Sequence, residues 1–494
     1  MVQSAGVRLS EGAHDNKIGA QSTLSRTLIS GNEFDGVLIT GRGTDNNIVQ
    51  GCFIGTDARG LSGVANGLAG VRIDSGARGN RIGGQGPAGR NLISGNEFDG
   101  VLITGGGSDN NLVQNNRIGT DRSGDDDLAN LLHGVDVQGG QGNIIGAPGR
   151  AAISGRAGGV AEGNIIAFNR NDGVHIGSGA DGISIRGNSI FENGALGINL
   201  VGRDLSNGVT LNDSGDRDTG PNTLQNFPVI SGVSLAKSGL TFTTTLRGTL
   251  NSTPNADFTL DFYRTERGDA SGFGEGRFYL GNTTVRTDVA GNAKFAFNAT
   301  GNLIGAYFSS TATSRSGGTS EFGRAPLQIA GFTPASGPVG TSVTIHGAGF
   351  EGITAVFFNG IQSTFSVDAR EHITAIVPSG ATTGPIRVLA GRSEATDATD
   401  FQVLSRPAND LFARAQILRG AIAFGTVQGT TIRATRESGR ARSRRQSRHA
   451  FDLVSLHGAR DRRCDLRYRG QRLRYAARGL YRLSGECADA YRQR

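Results

Sequence analysis

Four sets of side chains in this sequence have types and spacing that bear on chemistry. The acidic stretch Asn212-Asp213-Ser214-Gly215-Asp216-Arg217-Asp218 offers oxygen ligands at calcium-loop spacing, with Asp213, Asp216 and Asp218 as the metal ligands. It lacks the closing Glu of an EF-hand, so a solvated loop is the competing reading. Carboxylates also recur in pairs, Asp35 with Asp99, Asp45 with Asp109 and Asp57 with Asp121. Two carboxylates about 5 Å or about 6.5–9.5 Å apart could cleave a glycosidic bond. A carboxylate that returns at a fixed period is more simply a turn residue that bonds its own backbone, so no catalytic residue is assigned. His175, in Gly173-Val174-His175-Ile176, alternates with apolar neighbours and should face outward, with no identifiable partner for acid–base work. Cys52 aligns with Asn116 and reads as a small buried or corner residue rather than a nucleophile. Apart from calcium, no cofactor is expected.

The elements that would position these residues are repeats. Leu28–Gly41 and Leu92–Gly105 carry the same string, L-I-S-G-N-E-F-D-G-V-L-I-T-G, an offset of 64 residues. Within each block, short apolar segments such as Val101-Leu102-Ile103 and Asn111-Leu112-Val113 are separated by Gly, Asn and Asp. Strands this short, with no helical period between them, predict a parallel β-solenoid over residues 1–226. Three coils per block gives about 21 residues per coil, and about ten coils would stack into a rod on the order of 50 Å. Val, Ile and Leu should fill the interior. Asn at matching corners can form amide ladders, and Gly takes the positive-φ positions.

These segments resemble the bacterial right-handed parallel β-helix repeat proteins, whose blocks read N-x-I-S-G-N, G-V-x-I and N-x-V-Q-x-N-x-I-G-T-D. The resemblance implies export or display at the cell surface, with polysaccharide or another surface component as partner. It also raises an alternative, a polysaccharide lyase or glycoside hydrolase acting on a β-helix face. Of the polygalacturonase motifs only a D-D is present, inside Asp125-Asp126-Asp127, where it reads as a solvated loop. Lys17 is the one Lys of the repeat region, although Arg remains available as a base.

After Pro228 the period changes to alternating strands such as Leu240–Leu246 and Phe258–Tyr263. This pattern predicts an Ig-like β-sandwich over 227–326. Residues 327–404 carry Phe332-Thr333-Pro334, Gly347-Ala348-Gly349-Phe350 and Ile373–Pro378, and resemble an IPT/TIG domain, also an Ig-like sandwich. The fold class is therefore all-β: a right-handed parallel β-helix, two Ig-like sandwiches and a disordered or non-native C-terminal tail. Residues 405–439 resemble the start of a further, incomplete β-sandwich module.

The net charge of +7 is misleading. Residues 440–494 hold 16 Arg and 5 acidic residues, which leaves 34 basic and 38 acidic side chains in the preceding 439. CGN codons read one base later encode Gly, Ala, Val, Asp or Glu, so an Arg-rich tail is what a β module becomes when read out of frame. The tail is accordingly expected to be frameshift-derived, and no nucleic-acid partner is expected. Residues 1–9 already read as a repeat strand with no signal peptide, so the start is expected to be missing or misassigned. No apolar run reaches membrane-span length, and 79 Gly in 494 residues disfavour a helical bundle. The expected function is non-catalytic adhesion or glycan binding by an exported or surface-displayed protein.

Overall fold

The computed structural model describes residues 5–405 apart from 24, 148–162, 202–207, 270, 369–371 and 392. It also gives the backbone of four short strands beyond them: Gln416–Arg419, Val454–His457, Arg463–Tyr468 and Gln471–Ala476. The expectations for the incomplete module and for a frameshifted, non-native tail otherwise lie outside the described residues.

The repeats form a parallel β-helix with three faces. The first face stacks Ala5–Leu9, Asp35–Thr40, Val71–Asp74, Val101–Ile103, Val135–Gln141, Val174–Asp181 and Ile198–Leu200. The second runs from Lys17–Ile18 to Ser184–Arg186 and the third from Thr27–Ile29 to Ser189–Phe191, with six strands each. Every neighbouring pair in these sheets is parallel, with partners such as Val37 on Val71 and Val71 on Val101; Val135–Gln141 and Val174–Asp181 shift register by one residue after Val137. The 64-residue repeat therefore spans two coils of 34 and 30 residues, not three of about 21. Each coil carries three strands, and the three-coil count mistook strands for turns of the helix. Six full coils give a rod of about 30 Å at one strand spacing per coil, rather than about 50 Å.

Alternation in each short strand sends one set of side chains inward. Val37, Ile39, Val71, Ile73, Val101 and Ile103 stack on the first face, and Ile54, Ile93, Ile118, Ile166 and Ile190 on the third, all in one core. The corners are held by asparagine ladders. Asn32, Asn66, Asn96, Asn130, Asn169 and Asn193 pass side-chain amide bonds of 2.7–2.9 Å from coil to coil. A second ladder joins Asn16, Asn47, Asn80, Asn111 and Asn143. A third joins Asn91, Asn116, Asn164 and Asn188. Cys52 occupies the position before Asn91 in this third ladder, fully buried, and donates its backbone N–H to the Asn91 side chain.

Two sandwiches follow, antiparallel throughout except where Ser336–Gly337 runs parallel to Ser393–Val403. In the first, Val229–Ser238, Thr241–Asn251 and Asn292–Thr300 face Phe278–Arg286, Asp257–Thr265 and Tyr307–Ser314 across a core that includes Leu246, Leu260, Phe262, Phe295 and Phe308. The second sets a four-stranded sheet against a five-stranded one around Val343, Ile345, Phe350, Phe358, Val388 and Phe401.

The first sandwich closes the C-terminal end of the rod. Ile190 and Gly276 exchange backbone bonds of 3.0 and 2.8 Å, which pairs an otherwise open sheet edge. Tyr263 and Phe322 enter the rod's own core. Arg186 grips the fully buried Asp261 through two bonds of 2.6 and 3.0 Å, and the Tyr279 hydroxyl donates to the same carboxylate at 2.8 Å. Glu275 accepts the backbone N–H of Glu192 and of Asn193, and Glu321 accepts those of Leu200 and Thr210.

Candidate functional site

The densest group of titratable side chains lies on the first face, where three successive coils bring Asp99, His133, Asp136, Asp172 and His175 together. Their positions follow from the register. Asp136 pairs with His175, and His175 with Asn199, in the outward-facing column of Val135–Gln141, Val174–Asp181 and Ile198–Leu200. Asp99, His133 and Asp172 each sit two residues before an inward Val, at the corner that leads onto the face.

The contacts are close. His175 Nδ1 is 2.7 Å from Asp136 Oδ1, and the Gln138 amide donates to both Asp136 oxygens at 3.0 and 2.9 Å. His133 Nδ1 lies 3.2 Å from Asp172 Oδ2, an ion-pair contact without hydrogen-bond alignment that leaves this buried nitrogen with no hydrogen-bond partner. Asn199 donates to Asp172 at 3.0 Å, and Asn171 Nδ2 is 3.3 Å from His133 Nε2. The two imidazoles stack with centroids 4.3 Å apart and planes 25° from parallel. Burial, with Asp136 adding repulsion, pushes the Asp99 carboxyl up to about 6. Burial opposes a proton on His133, but Asp172, Asp136 and Asp99 together outweigh it and its pKa is raised.

His133, Asp172 and His175 each offer a ligand atom within 4.8 Å of the others. A metal binds in the plane of an imidazole, along the nitrogen lone pair. Two rings stacked this nearly parallel cannot both direct a lone pair at one ion about 2.1 Å away, so the arrangement suits hydrogen bonding and proton exchange rather than a shared metal.

Sequence reading placed His175 outward, and the structure agrees. It missed the partners Asp136 and His133, although aligning Gly134-Val135-Asp136-Val137 on Gly173-Val174-His175-Ile176 sets Asp136 opposite His175. The recurring aspartates divide by role. Asp57 accepts from Leu61 N and Asp121 from Ser123 N and Gly124 N, closing their own turns as expected. Asp35, Asp45, Asp99 and Asp109 instead accept from the following coil, at the backbone N–H of Ala69, Arg78, His133 and Gln141. Asp125 and Asp127 are exposed loop residues paired with Arg277 and Arg170.

The three aspartates put forward for calcium do converge: Asp213, Asp216 and Asp218 bring carboxylate oxygens within 4.8 Å of one another at the seam of rod and first sandwich. Asp216 is already engaged, accepting from Asn226 N at 2.9 Å and the Ser252 hydroxyl at 2.6 Å. Asp218 Oδ1 is buried without a partner, and burial together with Asp213 and Asp216 pushes its pKa up to about 6.

Beside the histidine cluster runs an apolar corner. Backbone bonds join Phe34 to Leu68, Phe98 to Leu132 and Leu132 to Asn171, and Phe98, Leu131 and Leu132 expose 43%, 53% and 36% of their surface. Among the described residues, no helix is long and apolar enough to cross a membrane.

Residues 327–403 match the IPT/TIG domain family, and the second sandwich is that domain. No curated protein matches the chain. Among solved structures, an auxiliary nutrient binding protein from Bacteroides thetaiotaomicron is 20% identical over 16% of this chain and 21% of its own, with a TM-score of 0.15. SGBP-B from a complex xyloglucan utilization locus in Bacteroides uniformis is 16% identical over 35% and 49%, also at 0.15. A full-length tailspike protein from an Escherichia coli O157:H7 bacteriophage is 11% identical over 81% and 58%, at 0.16. The chain spans less than half the length of the first two, and scores this low describe local overlaps.

Proposed function

We propose that the chain is a non-catalytic, exported or surface-displayed glycan-binding protein that holds its ligand on the first face of the β-helix, with the sandwiches as spacers or adhesion modules. The observation that carries this reading is the juxtaposition of exposed Phe98, Leu131 and Leu132 with the polar cluster of His133, Asp136, Asp172 and His175. Sugars present apolar C–H faces edged by hydroxyls, so a glycan site needs apolar surface and fixed hydrogen-bond partners side by side. Binding is favoured over hydrolysis because the carboxylates are already committed. Asp136 is held by His175 and Gln138, Asp172 by Leu196 N and Asn199, and Asp99 by His133 N. A hydrolase needs one carboxyl free to protonate and one free to attack or activate water.

The test is a panel of soluble neutral and acidic polysaccharides, scored for retention by the full chain and for new reducing ends or unsaturation. Retention without cleavage is the expected result; cleavage would establish the lyase or hydrolase alternative. A calcium ion held by Asp213, Asp216 and Asp218 belongs to the same reading as a structural tie, anchored through Asp216 to Ser252 of the first sandwich. Calorimetric titration with calcium should give heat in the intact chain and none in Asp218→Asn.

A further inference from the structure

The third face carries a second feature, a groove of about 410 Å³ whose walls include Arg26, Arg117 and Arg122 and whose apolar surface comes from Leu28 and Phe53. Its volume falls in the range of small-ligand sites, roughly 300–1,000 Å³. The register explains the gathering. Leu28 pairs with Phe53, Phe53 with Leu92 and Leu92 with Arg117, so the outward column of this face changes from apolar to cationic along the rod. Arg26 reaches from the first coil to the third, donating to the carbonyls of Ala88, Arg90 and Pro87 at 2.8–3.0 Å.

Elsewhere on the rod, Arg59, Arg72, Arg78 and Arg170 each pair with an aspartate. Among the described residues, Arg26, Arg90, Arg117 and Arg122 make no such pair, although Asp121 and Asp125 moderate the field at Arg117. Arg117 Nε is buried with no hydrogen-bond partner. Burial lowers the pKa of Arg26, Arg90 and Arg117, with repulsion from Arg26 adding to it at Arg90 and from Arg90 and Arg26 at Arg117. Cations gathered in a groove with no direct carboxylate partner, and only Asp121 and Asp125 nearby, favour an anion there, because guanidinium groups match carboxylate and ester oxyanions in geometry as well as charge.

We propose that this groove binds an acidic polysaccharide, through uronate carboxylates or sulfate esters on successive sugar units. The inference rests on the glycan-binding reading and adds a ligand class and a second contact surface. Adjacent coils lie about 4.8 Å apart, so cations on successive coils can follow a polymer laid along the rod. A nucleic acid is disfavoured because so short a groove lacks the extended cationic track that a phosphate backbone requires.

Affinity electrophoresis of the full chain through polygalacturonate, dextran sulfate and neutral dextran tests the assignment, with a DNA duplex in a parallel arm. The double variant R117Q/R122Q should lose at least tenfold in affinity for the acidic polymers, and retardation by wild type should weaken as salt rises. The exposed Arg122→Gln alone should lose several-fold, which keeps the test readable if Arg117→Gln disturbs folding. Whether polygalacturonate or dextran sulfate responds more strongly identifies the oxyanion. Arg78→Gln, at an exposed arginine paired with Asp45 outside the groove, should retain the acidic polymers. Unchanged binding in both R117Q/R122Q and Arg122→Gln, or an equal loss in Arg78→Gln, overturns the groove while sparing the glycan reading. Tighter binding of the duplex than of either acidic polymer also overturns it, and if no polysaccharide of any kind is retained both readings fall.

Discussion

His175 holds Asp136 at 2.7 Å and lies flat against His133, so replacing its imidazole removes a partly buried hydrogen-bonding group and the wall that keeps His133 on Asp172. Full-chain titrations with a retained neutral glycan should therefore show a loss of at least tenfold in His175→Gln, with a melting temperature close to wild type. Asp99 gives this site a pH response. Its carboxyl ionises near 6, so above that pH the cluster gains a negative charge beside Asp136, and acceptors for sugar hydroxyls strengthen. Affinity should rise as pH passes 6, and Asp99→Asn should remove that step. Little of this was legible in single residues. His175 declared its outward position by alternating with Val174 and Ile176, but Asp136 lies 39 positions earlier and becomes its neighbour only when the coil length is known. Cys52 was legible because the repeat itself aligned it with a ladder asparagine.

Coil length is where reading by element went astray. A strict period shows how often the pattern returns, not how many turns it contains, and the two coils of one repeat differ by four residues in length. The asparagine ladders and the stacked Val and Ile were legible, because a side chain that must meet its copy in the next coil has to recur. The same logic explains the recurrent Gly before the first-face Val. A Cβ on Gly100 would stand 2.5 Å from Ile118 and 2.6 Å from the Gly134 carbonyl, and Gly36, Gly70, Gly134 and Gly173 are similarly crowded. Gly100→Ala should thus cost about 1–3 kcal/mol as an overpacked core position. Chemical denaturation of the full chain, followed through the rod transition, measures this.

At the scale of the whole molecule, the rod and first sandwich share a core and a set of buried charges, and this joint was not visible in the sequence. Glu275 and Glu321 stand more than 70 residues beyond the strands whose N–H groups they bind. Burial pushes their carboxyls from an ordinary value near 4.5 up to about 7 and about 8. The folded joint therefore holds protons that the unfolded chain releases. Its stabilising contribution is full below about 4.5 and is lost as pH rises through 7 to 8. Melting temperature should fall across that window, with a shallower slope in Glu321→Gln. Breaking the Arg186–Asp261 pair by Arg186→Met leaves a buried carboxylate uncompensated and should cost about 3–5 kcal/mol. The first face of the rod is the centre of the functional proposal. Its most direct measurement is calorimetric titration of a retained neutral polysaccharide into the full chain, wild type against F98A/L132A. The account predicts saturable binding in wild type and at least a tenfold loss in the variant, with the fold intact by circular dichroism. Equal affinity in both proteins would contradict it.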